Sequence, residues 1–94
     1  MTRQYLIGEL SVRLTALRAV ANSGPAEDVE RLQLEVESGP VTALGSAAER
    51  AIALADLSCW ESLTCGDISA FGRQAQVSAD LRLFGICARL LAEE

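Results

Sequence analysis

Residues 67–94, DISAFGRQAQVSADLRLFGICARLLAEE, have the apolar spacing of one long helix. Five apolar residues alternate at spacings of four and three, the spacing of a heptad seam: Val77, Leu81, Phe84, Ala88 and Leu91. Leu83, Cys87 and Leu90 lie beside this seam and widen it into a face that we expect to be buried. A helix of this kind needs neighbours on its apolar side, so the rest of the chain is expected to pack against it.

The stretch before it, residues 40–64, predicts a second long helix. Apolar residues cover most of its circumference, and its only charged residues are Glu49, Arg50, Asp56 and Glu61. Gly66 suits the position just after a helix, and Asp67 suits the N-cap of the next helix. We therefore expect helices over 40–64 and 67–93, joined by a tight turn as an antiparallel hairpin.

Two further helices are predicted upstream, over residues 2–22 and 25–38. The first has an apolar stripe: Ile7, Leu10, Leu14, Leu17 and Ala21. The second lies between two Ser-Gly-Pro tripeptides, at 23–25 and 38–40, and its narrow stripe is Val29, Leu32 and Val36, with Leu34 off the stripe. The expected fold is all-α, an antiparallel up-down four-helix bundle with a short second helix, in a single domain spanning 1–94.

An alternative topology bends the chain only slightly at Gly39-Pro40. Residues 25–64 would then form one kinked rod about 60 Å long, which would overhang its partners. The bundle is the preferred prediction for that reason.

The charge of the chain limits its partners. The formal net charge is −5 at pH 7, and all eight basic residues are arginine. Nucleic-acid binding needs a cationic surface that displaces counterions, so no nucleic-acid partner is expected. The acidic balance also disfavours binding to anionic membrane surfaces. A basic or amphipathic protein partner is compatible with it.

The cysteines and the hydropathy pattern indicate a compartment. Cys59, Cys65 and Cys87 are an odd number without a Cys-x-x-Cys motif, which indicates reduced thiols that pack as small hydrophobic groups. No stretch has the apolar run of a signal peptide or the ~20 apolar residues of a membrane-spanning helix. We expect a cytoplasmic protein, and the use of arginine as the only basic residue favours a bacterial source.

The residue types argue against catalysis. The chain contains no histidine, so the commonest general base and metal ligand is missing. Its carboxylates lack the Glu-x-x-His pattern of di-iron bundles, and no glycine-rich phosphate loop precedes a helix. We expect no enzyme activity, no catalytic residue, no cofactor and no metal site.

Three families of small helical proteins offer partial resemblances. The size, acidity and helix number are similar to those of acyl carrier proteins, whose prosthetic arm is carried by the serine of an Asp-Ser-Leu motif. This chain has Asp-Ile-Ser at 67–69 instead. Helical-hairpin secretion substrates have a Trp-x-Gly turn, whereas residues 60–62 read Trp-Glu-Ser inside a predicted helix. The turn at 65–67 is similar to that of helix-turn-helix regulators, but the next helix is too apolar to recognise DNA. No family is assigned on these residues.

Helix lengths suggest a function. The second helix, about 21 Å long, is too short to cover a hairpin of about 38 Å, so we expect an apolar face to stay open. That face predicts a non-enzymatic interaction or regulatory module that forms a homodimer or binds a protein partner. The candidate interface residues are Leu34, Leu57, Trp60, Phe71 and Leu83. The alternative is a small-ligand or acyl-group binding bundle, with Cys59 or Cys87 lining an interior cavity.

Overall fold

A computed structural model describes residues 3–38 and 44–92, which form four α-helices and no strand. The helices are α1 (Arg3–Val20), α2 (Ser23–Ser38), α3 (Leu44–Cys65) and α4 (Ile68–Ala92). Each neighbouring pair along the chain packs side by side, and α1 also packs against α4 and α3. The predicted all-α four-helix bundle is confirmed.

The second helix turns back along the third instead of continuing into it. Arg50 of α3 forms an ion pair with Glu35 of α2, with 2.9 Å between Nη2 and Oε2. Leu54, one turn further along α3, lines the same surface pocket as Asp28, which lies two turns back along α2. The two helices are therefore antiparallel, and the kinked-rod alternative is wrong.

The helix ends agree with the predicted bounds to within a few residues where the structure describes them. The expected starts at Thr2 and Pro40 and the expected end at Glu93 lie outside the described residues. Helix α2 begins at Ser23, two residues before its predicted start. Pro25 fits inside the first turn because backbone N–H groups there have no partner within the helix, and Gly24 has no Cβ to clash with the proline ring.

The core is formed by apolar stripes from all four helices. Leu10, Leu14 and Leu17 of α1 are completely buried, as the sequence predicts. Three stripes complete the core: Val29, Leu32 and Val36 from α2; Ala47, Ala48, Ala51 and Ala55 from α3; Leu81, Phe84 and Ala88 from α4. Burying each leucine or valine stabilises the fold by about 1.5–3 kcal/mol, and the alanines of α3 let its neighbours approach closely.

One prediction about α4 is wrong. Leu83, Cys87 and Leu90 were expected to widen the buried face, yet all three are exposed. Leu83 is two residues after Leu81, and Leu90 two residues after Ala88, so each is about 200° around the helix from a core position. With the seam facing inward, these leucines face away from the bundle.

The inner side of α4 also carries a buried polar network. Gln74 of α4 is fully buried, and its Nε2 donates to Val20 O at 2.8 Å and to Asn22 Oδ1 at 3.2 Å. Its Oε1 accepts a hydrogen bond from Ser62 Oγ at 2.7 Å. Asn22 N in turn donates to Ser58 Oγ at 3.3 Å. These bonds satisfy both amide protons of Gln74 and connect the α1–α2 turn to α3 and α4.

The turn between α3 and α4 is formed as predicted. Gly66 has φ of 81°, and the N–H groups of Gly66 and Asp67 donate to Leu63 O and Ser62 O at 3.2 and 2.9 Å. This pair of bonds is a Schellman motif, which closes a helix with glycine at C′. Asp67 Oδ1 then accepts from Ala70 N at 3.1 Å, which makes Asp67 the N-cap of α4.

Removing the buried amide should destabilise the bundle. We expect Gln74→Ala to lower the free energy of unfolding by about 2 kcal/mol, because it leaves buried partners unsatisfied. Gln76→Ala, at an exposed position of the same helix, is the control and should change it little. Denaturant unfolding at one fixed protein concentration measures both. Equal effects of the two substitutions would contradict the structural role of Gln74.

Two glycine substitutions should have opposite effects on stability. Gly66→Ala places a Cβ on a residue with positive φ and should lower the free energy of unfolding by about 1–2 kcal/mol. Gly8 lies inside α1 and a Cβ there meets nothing within 4 Å, so Gly8→Ala should stabilise by about 0.5–1 kcal/mol. Thermal unfolding compares them, and a stabilising Gly66→Ala would show that the turn is assigned incorrectly.

Candidate interaction surface

An exposed apolar stripe runs along the outer side of α4. Its four large residues are between 55% and 65% exposed: Ile68, Leu83, Ile86 and Leu90. Three small residues complete it: Gly72 and Ala79 are exposed, and Ala75 is half-buried. We call these seven residues the α4 stripe. Apolar residues therefore occupy both the inner and the outer side of this helix.

The spacing keeps the α4 stripe on one face. Successive members are separated by 4, 3, 4, 4, 3 and 4 residues, so the pattern repeats after 11 residues. Eleven residues make about three helical turns, and all seven positions fall within an arc of about 80°. A straight helix can therefore present the whole stripe to a single neighbour.

Helix α3 also has exposed apolar side chains. Leu57 is 46% and Trp60 65% exposed, whereas Ala53 lines the pocket that α3 forms with α2. The hydrogen bonds that Ser78 makes to Asp56 and Ser62 makes to Gln74 fix the register of the hairpin. Trp60 lies between Asp56 and Ser62 along α3, so it is level with the middle of the α4 stripe.

Paired charges lie between the two helices of the hairpin. Arg82 of α4 forms an ion pair with Asp56 of α3 at 2.6 Å, and Arg89 pairs with Glu49. Partial burial would raise the pKa of Asp56, but hydrogen bonds from Arg82 and Ser78 outweigh it and hold the pKa below its usual value. Each charge at this seam is neutralised within the chain.

A surface groove lies between α1 and α4, with a volume of about 500 Å³. Leu83 and Leu90 of the α4 stripe form part of its wall, and Cys87 and Tyr5 also line it. The groove therefore continues the apolar surface from α4 toward α1.

Arg13 of α1 is half-buried and lies at this groove. Its guanidinium is 5.5 Å from the centre of the Phe84 ring, and its Nε is 3.2 Å from Asp80 Oδ2. Its Nη1 also donates to the carbonyl oxygen of Glu9 at 3.0 Å. Arg13 thereby holds α1 against α4, and its charge is already neutralised by its own chain.

Three of the five predicted interface residues are exposed on the hairpin helices α3 and α4: Leu57, Trp60 and Leu83. Phe71 is half-buried near the turn. Leu34 is exposed on α2, beside Glu30 and Glu37 in a different pocket, and α2 does not contact α4 within the described residues.

Three of the four large members of the α4 stripe were missed as candidates: Ile68, Ile86 and Leu90. Their signal is the 11-residue repeat, which is visible in the sequence once α4 is divided into two apolar faces. The α4 stripe lies on a helix that α2 does not contact within the described residues.

The thiols are not core groups. Cys65 and Cys87 are exposed and Cys59 is half-buried, so the expectation that they pack as small hydrophobic residues is wrong. Burial, together with the nearby Asp56 carboxylate, raises the pKa of the Cys59 thiol and keeps it protonated at neutral pH. A protonated thiol is a poor nucleophile. Among the described residues, no three cysteine, aspartate or glutamate side chains are grouped to hold a metal ion.

Within residues 3–38 and 44–92, no helix combines the length and apolarity needed to cross a membrane. Comparison of the chain with known protein families, with curated proteins and with solved structures gives no match.

The ion pair of Asp56 should give a small, pH-dependent contribution to stability. Because its pKa is lowered in the folded chain, the carboxylate stabilises the fold above its unfolded-state pKa near 4, and this contribution is lost as the pH falls through the folded-state pKa. We expect Asp56→Asn to cost about 0.5 kcal/mol at pH 7, since the pair is half exposed. The difference from the wild type should shrink as the pH falls below the unfolded-state pKa and vanish once the pH is below the folded-state pKa.

Thermal unfolding between pH 2 and pH 8 measures this difference. Glu27→Gln, at an exposed position of α2, is the control. A cost of Asp56→Asn that stays constant down to the lowest pH would contradict the assigned ion pair.

Proposed function

We propose that this chain is a non-enzymatic interaction module that packs the α4 stripe against a helix of another polypeptide. The observation that carries this proposal is the exposure of Ile68, Leu83, Ile86 and Leu90 along one face. The outer side of a helix in a small bundle is ordinarily polar, and contiguous exposed apolar surface marks binding sites. Burial of the stripe by a partner removes this surface from water.

A helical partner suits the shape of the surface. The α4 stripe is straight and roughly 33 Å long, from Ile68 to Leu90. Gly72, Ala75 and Ala79 are small and allow the backbone of a second helix to come within about 8 Å. Leu83 and Ile86 project from the same face and can insert between side chains of that helix. Trp60 lies beside the middle of the stripe, where a large aromatic ring contributes most to binding.

The chemistry of the chain supports a non-catalytic role. The sequence has no histidine, and the half-buried Cys59 thiol has a raised pKa. Two of the three cysteines are exposed and free, which is typical of proteins in a reducing compartment. A cytoplasmic location is part of the proposal on that ground.

The groove between α1 and α4 favours a second candidate function, the binding of a small apolar or acyl ligand. It has a volume of about 500 Å³ and is lined by Leu6, Phe84, Cys87 and Leu91 among others, which places Cys87 at a surface groove and not in an interior cavity. Fluorescence of an apolar dye that is displaced by fatty acids, at micromolar concentrations, would favour this function over the first.

Introducing a charge into the α4 stripe should break the assembly. We expect the wild type, purified under reducing conditions from cells that express it, to be part of a complex in native mass spectrometry. Leu83→Glu should weaken that complex at least about tenfold, because a charged carboxylate would have to be desolvated at the contact. Leu83 is 65% exposed, so the substitution should leave the helical circular dichroism unchanged.

Leu34→Glu is the matched control, since Leu34 is similarly exposed but lies on α2 among acidic residues. It should leave the complex intact. A wild type that stays monomeric and without a partner would overturn the proposal, as would a complex that loses the same affinity with either substitution.

A further inference from the structure

We infer that the helix that covers the α4 stripe is α4 of a second copy of this chain, running antiparallel about a two-fold axis at Ala79. This inference rests on the proposed function and names its partner. It is carried by two independent properties of the stripe, its spacing and the order of its large and small residues.

The spacing of the stripe is the same in both directions. Read forward or backward, the separations are 4, 3, 4, 4, 3 and 4 residues, and Ala79 is the central member. An antiparallel copy centred on Ala79 therefore places stripe residues opposite stripe residues along the full length. A two-fold dimer needs a surface that is complementary to itself in this way.

Large and small side chains also match across this axis. Ala75 faces Leu83 of the second copy, Gly72 faces Ile86, and Ala79 faces itself. At each end Ile68 faces Leu90. In the pairs of Ala75 with Leu83 and of Gly72 with Ile86, a large residue lies opposite a small one, which lets the helices approach closely and fills the space between them. The axis repeats every pair except Ala79 with itself, and the contact extends over roughly 33 Å.

A parallel pair would lack this match. Each residue would then face its own copy, so Leu83, Ile86 and Leu90 would meet large residues while Gly72, Ala75 and Ala79 would meet small ones. Ile68 would also meet Ile68, so large residues would hold the helices apart at both ends and leave a gap at the small residues between them. Antiparallel pairing also aligns the helix dipoles favourably.

The surroundings of the stripe fit the same arrangement. Ile68, which is 63% exposed, would lie against Leu90 of the second copy, which lines the groove between α1 and α4. Trp60, which is 65% exposed on the neighbouring α3, is level with the middle of the stripe and adds apolar surface at its flank.

Cysteine cross-linking tests the axis directly. The three native cysteines are first replaced by serine, and helical content is checked by circular dichroism. In this background, Ala79→Cys should form a disulfide-linked dimer on mild oxidation, about tenfold faster or more than Val12→Cys, an exposed position on α1 that reacts only by collision. A mixture of Ala75→Cys and Leu83→Cys chains should form the mixed disulfide, whereas Leu83→Cys alone should not cross-link above the Val12→Cys rate.

The results separate this inference from the proposed function. Rapid cross-linking of Leu83→Cys alone would show a parallel pair and overturn the antiparallel axis, while leaving the interaction module intact. A wild-type complex that contains a different protein, is lost in Leu83→Glu and shows no cross-link at Ala79→Cys would overturn self-association alone. A monomer under every condition would overturn both.

Discussion

The rotation of α4 about its own axis is the constraint on which the rest of the structure depends. Apolar residues lie on two opposite sides of this helix, so the hydrophobic effect alone does not choose between them. The buried hydrogen bonds of Gln74, to Val20 O, Asn22 and Ser62, select one rotation. Rotating α4 by half a turn about its axis would expose Leu81 and Phe84 and leave these polar groups without partners. Each buried group without a partner would lower the free energy of unfolding by about 1–3 kcal/mol.

Once α4 is fixed in this way, its second apolar side has no neighbour within its own chain. The bundle supplies α3 on one flank and α1 on the other, and α2 lies on the far side, against α1 and α3. Leu83, Ile86 and Leu90 are therefore exposed by the same hydrogen bonds that bury Leu81 and Phe84. The polar network in the core and the apolar surface on the outside therefore both result from one rotation of α4 about its axis. The proposed interaction depends on the same rotation.

Local features of the fold could be predicted from the sequence. Gly66 and Asp67 define the α3–α4 turn because helix termination and capping depend on neighbouring residues only. The core stripes of α1 and α2 were also correct, since each of these helices has one apolar side. The buried side of α4 was harder to predict, because the sequence pattern made Leu83 and Leu90 as suitable for burial as Leu81. Their exposure is decided by Gln74, whose partner Val20 is 54 residues away in sequence.

The surface was predicted in part for the same reason. Leu57, Trp60 and Leu83 were among the predicted interface residues, and all three are exposed on α3 and α4. Leu34 was also predicted but lies on α2, a helix whose position relative to α4 could not be obtained from periodicity. Ile68 and Ile86 were missed because the second apolar side of α4 becomes visible only when the rotation of the helix is known.

An isotope-filtered NOE experiment on a mixture of labelled and unlabelled chains tests the central claim most directly. It detects contacts between methyl groups on different molecules. Our account predicts intermolecular NOEs between the Leu83 methyls of one copy and the Ala75 methyl of the other, with none from Leu34. A stripe whose methyl groups show only contacts within their own chain, in a sample that carries no other protein, would contradict it.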